Sequence, residues 1–413
     1  MKQRKSVKHN NRKLILDYMR ADGILSISDI SEQVKISKPT VKKVVDYYTE
    51  LGLVVSAGKG SSTDEGGKKP ALFQFNRNYG YVIAVHIGPD FIYSAIMDLN
   101  AEIVHSTFRT IPKLSAREIV ELLKESILDF QSLGWSRNKE LINVVVALPG
   151  IVDSAKGVSV YTPHYPQWGE NWPVRDVLLR ETGLQVPLYI GNVNRYQALA
   201  EKVKGLAQGV NNFLIVDAMD EGVGAGVIVN GTIRHGSQNL SGEIGHMVLD
   251  LQGPKCICGG QGCFEALVSV RHINSILSTG NNDHKESLIY RENKDPEVGI
   301  DDLFRAAETG DTFAVEVMNQ IVSWFAIGLN NVIMVNDPDM IIIQGIYTHA
   351  GSRFLANLKS KIDQMSFPNL SRNVELVYSR FGRERGVLGA GCFGVWSYFQ
   401  SKELYKPLIP SIE

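Results

Sequence analysis

Residues 242–246 read Gly-Glu-Ile-Gly-His, and residues 256–265 read Cys-Ile-Cys-Gly-Gly-Gln-Gly-Cys-Phe-Glu. One imidazole and three thiols can close a tetrahedral zinc site, and the glycines let the chain turn around an ion about 2.3 Å from each sulfur. The four candidate ligands are His246, Cys256, Cys258 and Cys263. Because that shell leaves no open position, we predict a structural Zn²⁺; the alternative is a loop with three free thiols.

The composition outside this stretch is that of a globular protein. The chain has 413 residues, of which 44% are hydrophobic and 21% charged, so two or three domains with sizeable cores are expected. Four cysteines, three of them clustered, do not make a disulfide framework. Residues 1–80 carry 15 Lys and Arg against 8 Asp and Glu, whereas the remainder carries 28 against 36. A basic head on an acidic body indicates that only the head meets nucleic acid.

Three short helices are predicted in the basic head. Residues 12–21 have the apolar spacing of an amphipathic helix. A second helix is predicted from a cap at Ser28 to about Val34, and a third opens at Ser37 and stops at Gly52. This pattern is typical of a helix-turn-helix.

Strands predicted at 53–55 and 71–75, with a polar, glycine-rich tip between them, would add a wing. Short polar and basic side chains on the third helix can reach base edges and phosphates of DNA. The alternative is a small helical dimerisation module. The candidate DNA contacts are Ser37, Lys38, Thr40, Lys42 and Lys43 on the third helix and Lys59, Lys68 and Lys69 in the wing.

The remaining 335 or so residues alternate strand-like and helix-like segments, which predicts an α/β body in two lobes. Helices are expected at 116–133, 195–207 and 312–335. The predicted strands, of which the first two form a hairpin, are 81–87, 91–98, 142–147, 188–190, 213–217, 225–229 and 340–343.

The segment from Gly242 to Glu265 resembles the signature of the ROK family of repressors, open reading frames and sugar kinases. Further similarities are Gly67-Lys68-Lys69-Pro70, Leu148-Pro149-Gly150 and a Pro-x-x-x-x-Trp stretch ending at Trp168. The resemblance implies an actin-like (ribonuclease-H-like), two-lobed sugar-kinase fold with an N-terminal winged helix-turn-helix. It implies domains at 1–76, at 77–190 completed by a C-terminal helix at about 390–413, and at 191–389, with a sugar cleft between the lobes.

The same resemblance implies a set of sugar-binding residues. Carboxylates and amides exchange hydrogen bonds with sugar hydroxyls, and an aromatic ring covers an apolar sugar face. Residues matching the family's sugar contacts are Asn192, Glu243, His246, Glu265 and Trp168. For each residue taken alone, the alternative is a polar group hydrogen-bonded within the fold.

Four segments depart from the pattern of active kinases in the family. Where relatives carry Asp-x-Gly-Gly-Thr, residues 86–90 read His-Ile-Gly-Pro-Asp, which removes an N–H donor and a flexible glycine. Where relatives carry Asn-Asp-x-Asn, residues 192–195 read Asn-Val-Asn-Arg, and Val193 cannot act as the general base. Two further turns, which lie beside the phosphates and the adenosine in those kinases, also differ from the kinase pattern; they are residues 221–224 and 344–347 here. We therefore expect a protein that is not an enzyme.

These features predict a cytoplasmic, sugar-responsive transcriptional regulator of carbohydrate genes, most simply a repressor. It would bind double-stranded operator DNA as a homodimer, or as a tetramer built from dimers, and a sugar effector in a catalytically inactive cleft. Two alternatives are a DNA-binding regulator without a small-molecule effector and an ATP-dependent sugar kinase. No membrane association is expected, since no uncharged apolar run reaches 18 residues.

Overall fold

A computed structural model of the chain describes residues 2–21, 23–61, 69–219, 222–280, 283–291, 298–365, 367 and 373–401. Within these residues, the N-terminal region folds as three helices and a three-stranded antiparallel sheet. Its elements are α1 (Lys2–Ala21), β1 (Ile24–Ser26), α2 (Ile27–Val34), α3 (Lys38–Glu50), β2 (Val54–Lys59) and β3 (Ala71–Phe75). The strand order is β1-β3-β2. Ile15 and Leu16 of α1 pack with Val41, Val45 and Tyr48 of α3, and all five are fully buried. We call this unit the winged-helix head.

Two details of the head differ from the prediction. The helix predicted from residue 12 begins ten residues earlier, at Lys2. The predicted cap at Ser28 is wrong, because the short strand β1 ends at Ser26 and leaves that residue extended. The Ser26 hydroxyl accepts the Asp29 N–H at 3.2 Å, and the Asp29 carboxylate accepts the Ser26 N–H at 2.8 Å. This reciprocal pair is a capping box.

The first lobe of the body is built on a mixed five-stranded sheet. Its described elements are β4 (Gly80–Ile87), β5 (Phe91–Met97), β6 (Ile103–Thr110), α4 (Ala116–Ser132), β7 (Glu140–Leu148), β8 (Ile151–Asp153), β9 (Val158–Tyr161), α5 (Val174–Thr182), β10 (Leu188–Asn192) and α6 (Val193–Val203). The sheet order is β10-β7-β4-β5-β6, and β4 and β5 form the predicted hairpin. Apolar side chains of α4 and α5 cover one face of this sheet.

The second lobe contains another five-stranded sheet, with the order β13-β12-β11-β14-β15. Its described elements are β11 (Phe213–Met219), β12 (Gly222–Val229), β13 (Thr232–Ile233), α7 (Phe264–Val268), α8 (Val270–Gly280), α9 (Leu288–Arg291), α10 (Ile300–Glu308), α11 (Thr312–Asn336), β14 (Met340–Gly345), α12 (Gly351–Gln364) and β15 (Glu375–Tyr378). The last described helix, α13 (Arg385–Gln400), begins before the C-terminal segment predicted at about 390.

The long helix α11 forms much of the core of the second lobe. Phe325, Ala326 and Leu329 are fully buried against the sheet and the neighbouring helices. By length and composition alone this helix could cross a membrane, but half of that stretch is buried inside the fold. The central helix of a globular core has the same composition.

Two helices lie where the lobes meet. One side of α6 packs with α13 against the first sheet, and Ala198 of α6 packs against Phe213 and Ile215 of β11 in the second sheet. The strands β4, β7, β10 and β11 all direct their carboxyl ends to this junction, where ligand crevices form in α/β folds. The fold therefore places a cleft at the ends of these strands.

Candidate functional site

The imidazole and the three thiols singled out in the sequence meet at one point. The ligand atoms of His246, Cys256, Cys258 and Cys263 all lie within 4.8 Å of one another. The Cys256 sulfur is 3.7 Å from Nδ1 of His246, and the sulfurs of Cys258 and Cys263 are 3.8 Å apart. Ligands at zinc-like bond lengths on a tetrahedral ion are roughly 3.5–3.8 Å apart, so both the chemistry and the spacing of these donors fit Zn²⁺.

The backbone of residues 242–265, which we call the metal loop, has three glycines with positive φ, and at two of them a side chain would also meet neighbouring backbone. Gly242 has φ +100°, and a Cβ there would overlap the carbonyl oxygen of Ala225. Gly262 has φ +67°, and a Cβ there would overlap the carbonyl oxygen of Asp250. Other residues would be strained at both positions, which explains why the loop requires glycine there.

A cleft between the lobes brings together four of the five predicted sugar-binding residues. Its lining includes Asn192, Glu243, His246 and Glu265. His246 presents Nδ1 to Cys256 while its side chain also borders the cleft, so one residue connects the metal loop with the cleft.

The carboxylates of Glu243 and Glu265, two of those that line the cleft, are largely buried. Oε2 of Glu265 accepts the N–H of Val223 at 3.0 Å, and Oε1 lies 3.6 Å from the sulfur of Cys256. Burial raises the pKa of Glu243, although the charges of His246 and Arg195 act in the opposite direction. Hydrogen-bond acceptors held this way suit a ligand rich in hydroxyl groups.

Asn192 and Trp168 have structural contacts of their own. The side-chain oxygen Oδ1 of Asn192 accepts the N–H of Arg195 at 3.2 Å, which caps α6, and its side-chain amide donates to the Gly150 carbonyl oxygen at 2.9 Å. Trp168 does not line the cleft: its ring stacks on Tyr165 with centroids 4.3 Å apart, and its indole N–H donates to the Leu114 oxygen. The structure therefore does not bring Trp168 to the other predicted sugar contacts.

The deeper part of the cleft is closed by a buried polar group that we call the cleft floor: His86, Gln197, Asp217 and Arg385. Nη2 of Arg385 lies 3.0 Å from Oδ1 of Asp217, and the Gln197 amide donates to Oδ2 of Asp217 at 2.9 Å. Burial, assisted by the charge of Arg385, lowers the pKa of His86 to about 3. The ring is therefore neutral near pH 7.

Sequence reasoning missed the charged residues of this floor and a second buried arginine. Arg195 is 2% exposed, and its guanidinium donates to the carbonyl oxygens of Asn239 at 2.6 Å and His235 at 3.4 Å. Asp217 and Arg385 are separated by more than 160 positions, so no local pattern links them. The one sequence feature that pointed to an altered cleft was the departure from the kinase pattern at residues 86–90 and 192–195.

The predicted DNA contacts on α3 lie on its polar side. Ser37, Lys38, Lys42 and Lys43 are exposed and Thr40 is half-buried, whereas the opposite side of α3 is in the core. Lys42 forms an ion pair with Asp46 at 2.6 Å, and the hydroxyls of Ser37 and Thr40 are 3.0 Å apart. Lys59 and Lys69 are exposed, and Lys68 lies outside the described residues.

The fold and the cleft define a two-lobed, sugar-kinase-like body joined to a winged helix-turn-helix. Comparison with known families agrees: the ROK family profile matches residues 82–393, and a winged helix-turn-helix DNA-binding profile matches residues 9–55. The chain belongs to the ROK family.

Individual relatives include both regulators and kinases. The xylose repressor of Bacillus subtilis (strain 168) is 28% identical over 386 residues, covering 93% of this chain and 94% of the relative. A glucokinase of Thermotoga maritima is 28% identical over 311 residues, covering 75% of this chain and 95% of the relative. A solved ROK family transcriptional regulator, a homologue of the E. coli MLC protein, superposes with a TM-score of 0.79 at 24% identity, covering 95% of this chain and 97% of that one.

Proposed function

We propose that this protein is a sugar-responsive transcriptional regulator, most simply a repressor of carbohydrate genes. The observation that carries the proposal is the combination in one chain of an exposed basic face on α3 with a polar interlobe cleft. The head would bind operator DNA through α3 and the wing, and the sugar would bind at Asn192, Glu243, His246 and Glu265. The similarity to a xylose repressor over 93% of the chain supports the same function.

A kinase activity is disfavoured by the chemistry of the cleft. Val193 stands where kinases of the family have their general base, and an alkyl side chain cannot take a proton. The ion pair between Arg385 and Asp217, with His86 beside it, lines the cleft next to residues 86–90, where the sequence departs from the kinase pattern. We therefore propose that the body binds a sugar without phosphorylating it.

A structural Zn²⁺ is proposed for the metal loop. The neutral imidazole and three thiolates would satisfy the ion completely, so the metal would supply stability and no reactive position. Its role would be to hold His246 and Glu265, which border both the cluster and the cleft, in their binding positions.

We further propose a cytoplasmic homodimer, with a dimer of dimers as the alternative. Two winged-helix heads related by a two-fold axis would read a palindromic site with half-site centres about 10–10.5 bp apart or a multiple of that distance. The domain limits that we propose are those given by the sequence, 1–76, 77–190 with the C-terminal helix, and 191–389, except that the C-terminal helix of the first lobe begins at Arg385, the first residue of α13.

The sugar site is tested by thermal unfolding of the zinc-loaded protein with D-xylose, D-glucose and other monosaccharides. A ligand at 100 times its dissociation constant should add about 2.7 kcal/mol, which raises Tm by several degrees. Glu243→Gln should abolish that shift, and Glu170→Gln at an exposed position should preserve it. A flat panel would favour a regulator without a small-molecule effector.

The enzyme alternative has a separate test. A coupled assay with MgATP and each sugar should show no sugar-dependent ADP release above the rate without protein. Turnover that disappears in Glu243→Gln would overturn the regulator proposal in favour of a kinase.

A further inference from the structure

The helix α13 contacts both the cleft floor and the winged-helix head. Its first residue, Arg385, is paired with Asp217 of the second lobe at 3.0 Å. Phe399, near its other end, is 1% exposed and lies beneath Arg20 of α1, whose guanidinium carbon is 3.5 Å from the ring centroid. Since 14 residues separate Arg385 and Phe399, one helix spans about 21 Å between the two contacts.

The middle of α13 is packed so closely against the first lobe that its glycines leave no room for a side chain. A Cβ at Gly389 would overlap the backbone of Tyr196 in α6, and a Cβ at Gly394 would press on Val82 of β4. The amide of Asn143 donates to the Gly394 oxygen at 2.9 Å and anchors the helix further. Because these close contacts leave no slack along the helix, a displacement at one end of α13 is passed to its other end.

The first turn of α13 also separates two cavities. Arg385 lines the cleft, whereas Glu384 and Leu388 line a polar groove of about 860 Å³ that Asp17 and Arg20 of α1 border from the head. Beside this groove, the head meets the end of α13 through a small aromatic contact.

In that contact, the ring centroids of Phe75 and Phe399 are 5.9 Å apart and the ring planes are inclined at 64°. This aromatic contact and the groove beside it mark the place where α13 meets the head.

We propose that the Arg385–Asp217 pair responds to the separation of the two lobes and that α13 transmits this response to the winged-helix head. The inference rests on the proposed function and specifies the regulation of the same cleft. The two charges belong to opposite lobes, so a cleft ligand that favours one closure angle also favours or breaks the pair. The rigid helix then shifts Phe399 under Arg20, which alters the position of the head.

The test is hydrogen exchange, read by mass spectrometry on the full-length, zinc-loaded protein. The combined variant Asp217→Asn with Arg385→Met removes both charges together, because a single change would leave a buried charge unpaired. We expect head peptides covering residues 12–21 and 71–75 to exchange at least fivefold faster than in wild type. In a Phe399→Ala background, the same pair of substitutions should produce no further change.

Exchange within twofold of wild type in those head peptides, or an equal fold-change in both backgrounds, would overturn the proposal. If Phe399→Ala does not fold, Arg20→Met replaces it in the same cycle, since it removes the guanidinium over the ring. Peptides covering β7 should be unchanged; a parallel acceleration there would mean general destabilisation and would also overturn the proposal. Arg109→Met, at a half-exposed arginine of the first lobe, is the control and should leave the head unchanged.

This measurement needs neither operator nor sugar, so its outcome is separate from that of the proposed function. If the protein selects no duplex from a random DNA pool, the regulator proposal fails while the exchange data still report on α13. If it selects a duplex and the exchange cycle is additive, only the role of α13 is rejected.

Discussion

The metal loop and the cleft floor are both buried polar clusters, but they are assembled differently. The metal loop draws its four candidate ligands from one continuous stretch, and the proposed Zn²⁺ would hold their sulfur and nitrogen atoms together. The cleft floor draws Asp217 and Arg385 from opposite lobes, and the two charges neutralise each other at 3.0 Å. A local cluster can therefore depend on a ligand for its stability, whereas the distant pair depends on the closure of the whole body.

The largest effect on stability and metal content is expected for a cysteine of the metal loop, compared with a buried cysteine outside it. Cys263→Ser should reduce bound zinc from about one ion per chain to near zero and lower stability by several kcal/mol, because the metal-binding energy is folding energy. Metal analysis and thermal unfolding measure both effects. Cys392, equally buried at 2% exposure, lies outside the cluster, so Cys392→Ala should retain the metal. A zinc-loaded Cys263→Ser protein would contradict the site.

In the cleft floor, removing one partner should destabilise the protein more than removing both, since the two charges stabilise each other. Arg385→Met leaves the Asp217 carboxylate buried without its counter-charge and should cost about 3–5 kcal/mol of unfolding free energy. Adding Asp217→Asn should restore most of that loss in urea denaturation. If the double variant were as unstable as the single one, the two charges would not form an energetic pair.

A smaller effect is expected from the neutral histidine of the floor. The folded-state pKa of His86 is lowered to about 3, so between pH 7 and pH 5 the unfolded chain takes up a proton that the folded chain does not. This histidine therefore costs no stability above its unfolded pKa of about 6.5, and the free energy of unfolding falls by about 2 kcal/mol on acidification to pH 5. In His86→Leu, the free energy of unfolding should not show this part of the decrease with acidification, as measured by denaturation at each pH. His105→Gln, at an exposed histidine, should follow wild type.

The smallest stability effect is expected on the polar face of α3, which is local in sequence like the metal loop but exposed. Lys42→Ala combined with Lys43→Ala should change stability by less than about 1 kcal/mol, since the Lys42–Asp46 pair is solvent-exposed. It should nevertheless weaken binding to duplex DNA selected by the wild-type protein and reduce the salt slope by about two. Lys156→Ala on the body is the matched control; equal affinity for all three proteins would contradict the assignment of α3 as the DNA-reading helix.

How far the sequence could predict these regions follows from the same difference. The metal cluster, the three helices of the head and the β4–β5 hairpin depend on neighbouring residues, and their patterns are visible in a short window. The pairing of Asp217 with Arg385 depends on the docking of two lobes, which no short window contains. Trp168 shows the limit of a family motif: the motif is present, yet local stacking on Tyr165 determines where the ring lies.

The ends of helices and strands were predicted less accurately than the presence of these elements. The N-cap of α2 is Ser26 and not the predicted Ser28, because a three-residue strand, β1, precedes the helix and pairs with β3. That strand is too short to leave a pattern of its own, and its pairing partner lies almost 50 residues away.

The most direct test of sugar-dependent DNA binding is a fluorescence anisotropy titration of the full-length protein with a duplex that it has itself selected. The titration is repeated with saturating D-xylose, D-glucose and the other monosaccharides of the thermal panel. We expect one sugar to change the Kd for DNA at least fivefold in wild type and to have no effect in Glu243→Gln, which retains its DNA affinity without sugar. A Kd that no sugar changes, or an equal change in wild type and Glu243→Gln, would contradict a cleft that senses sugar.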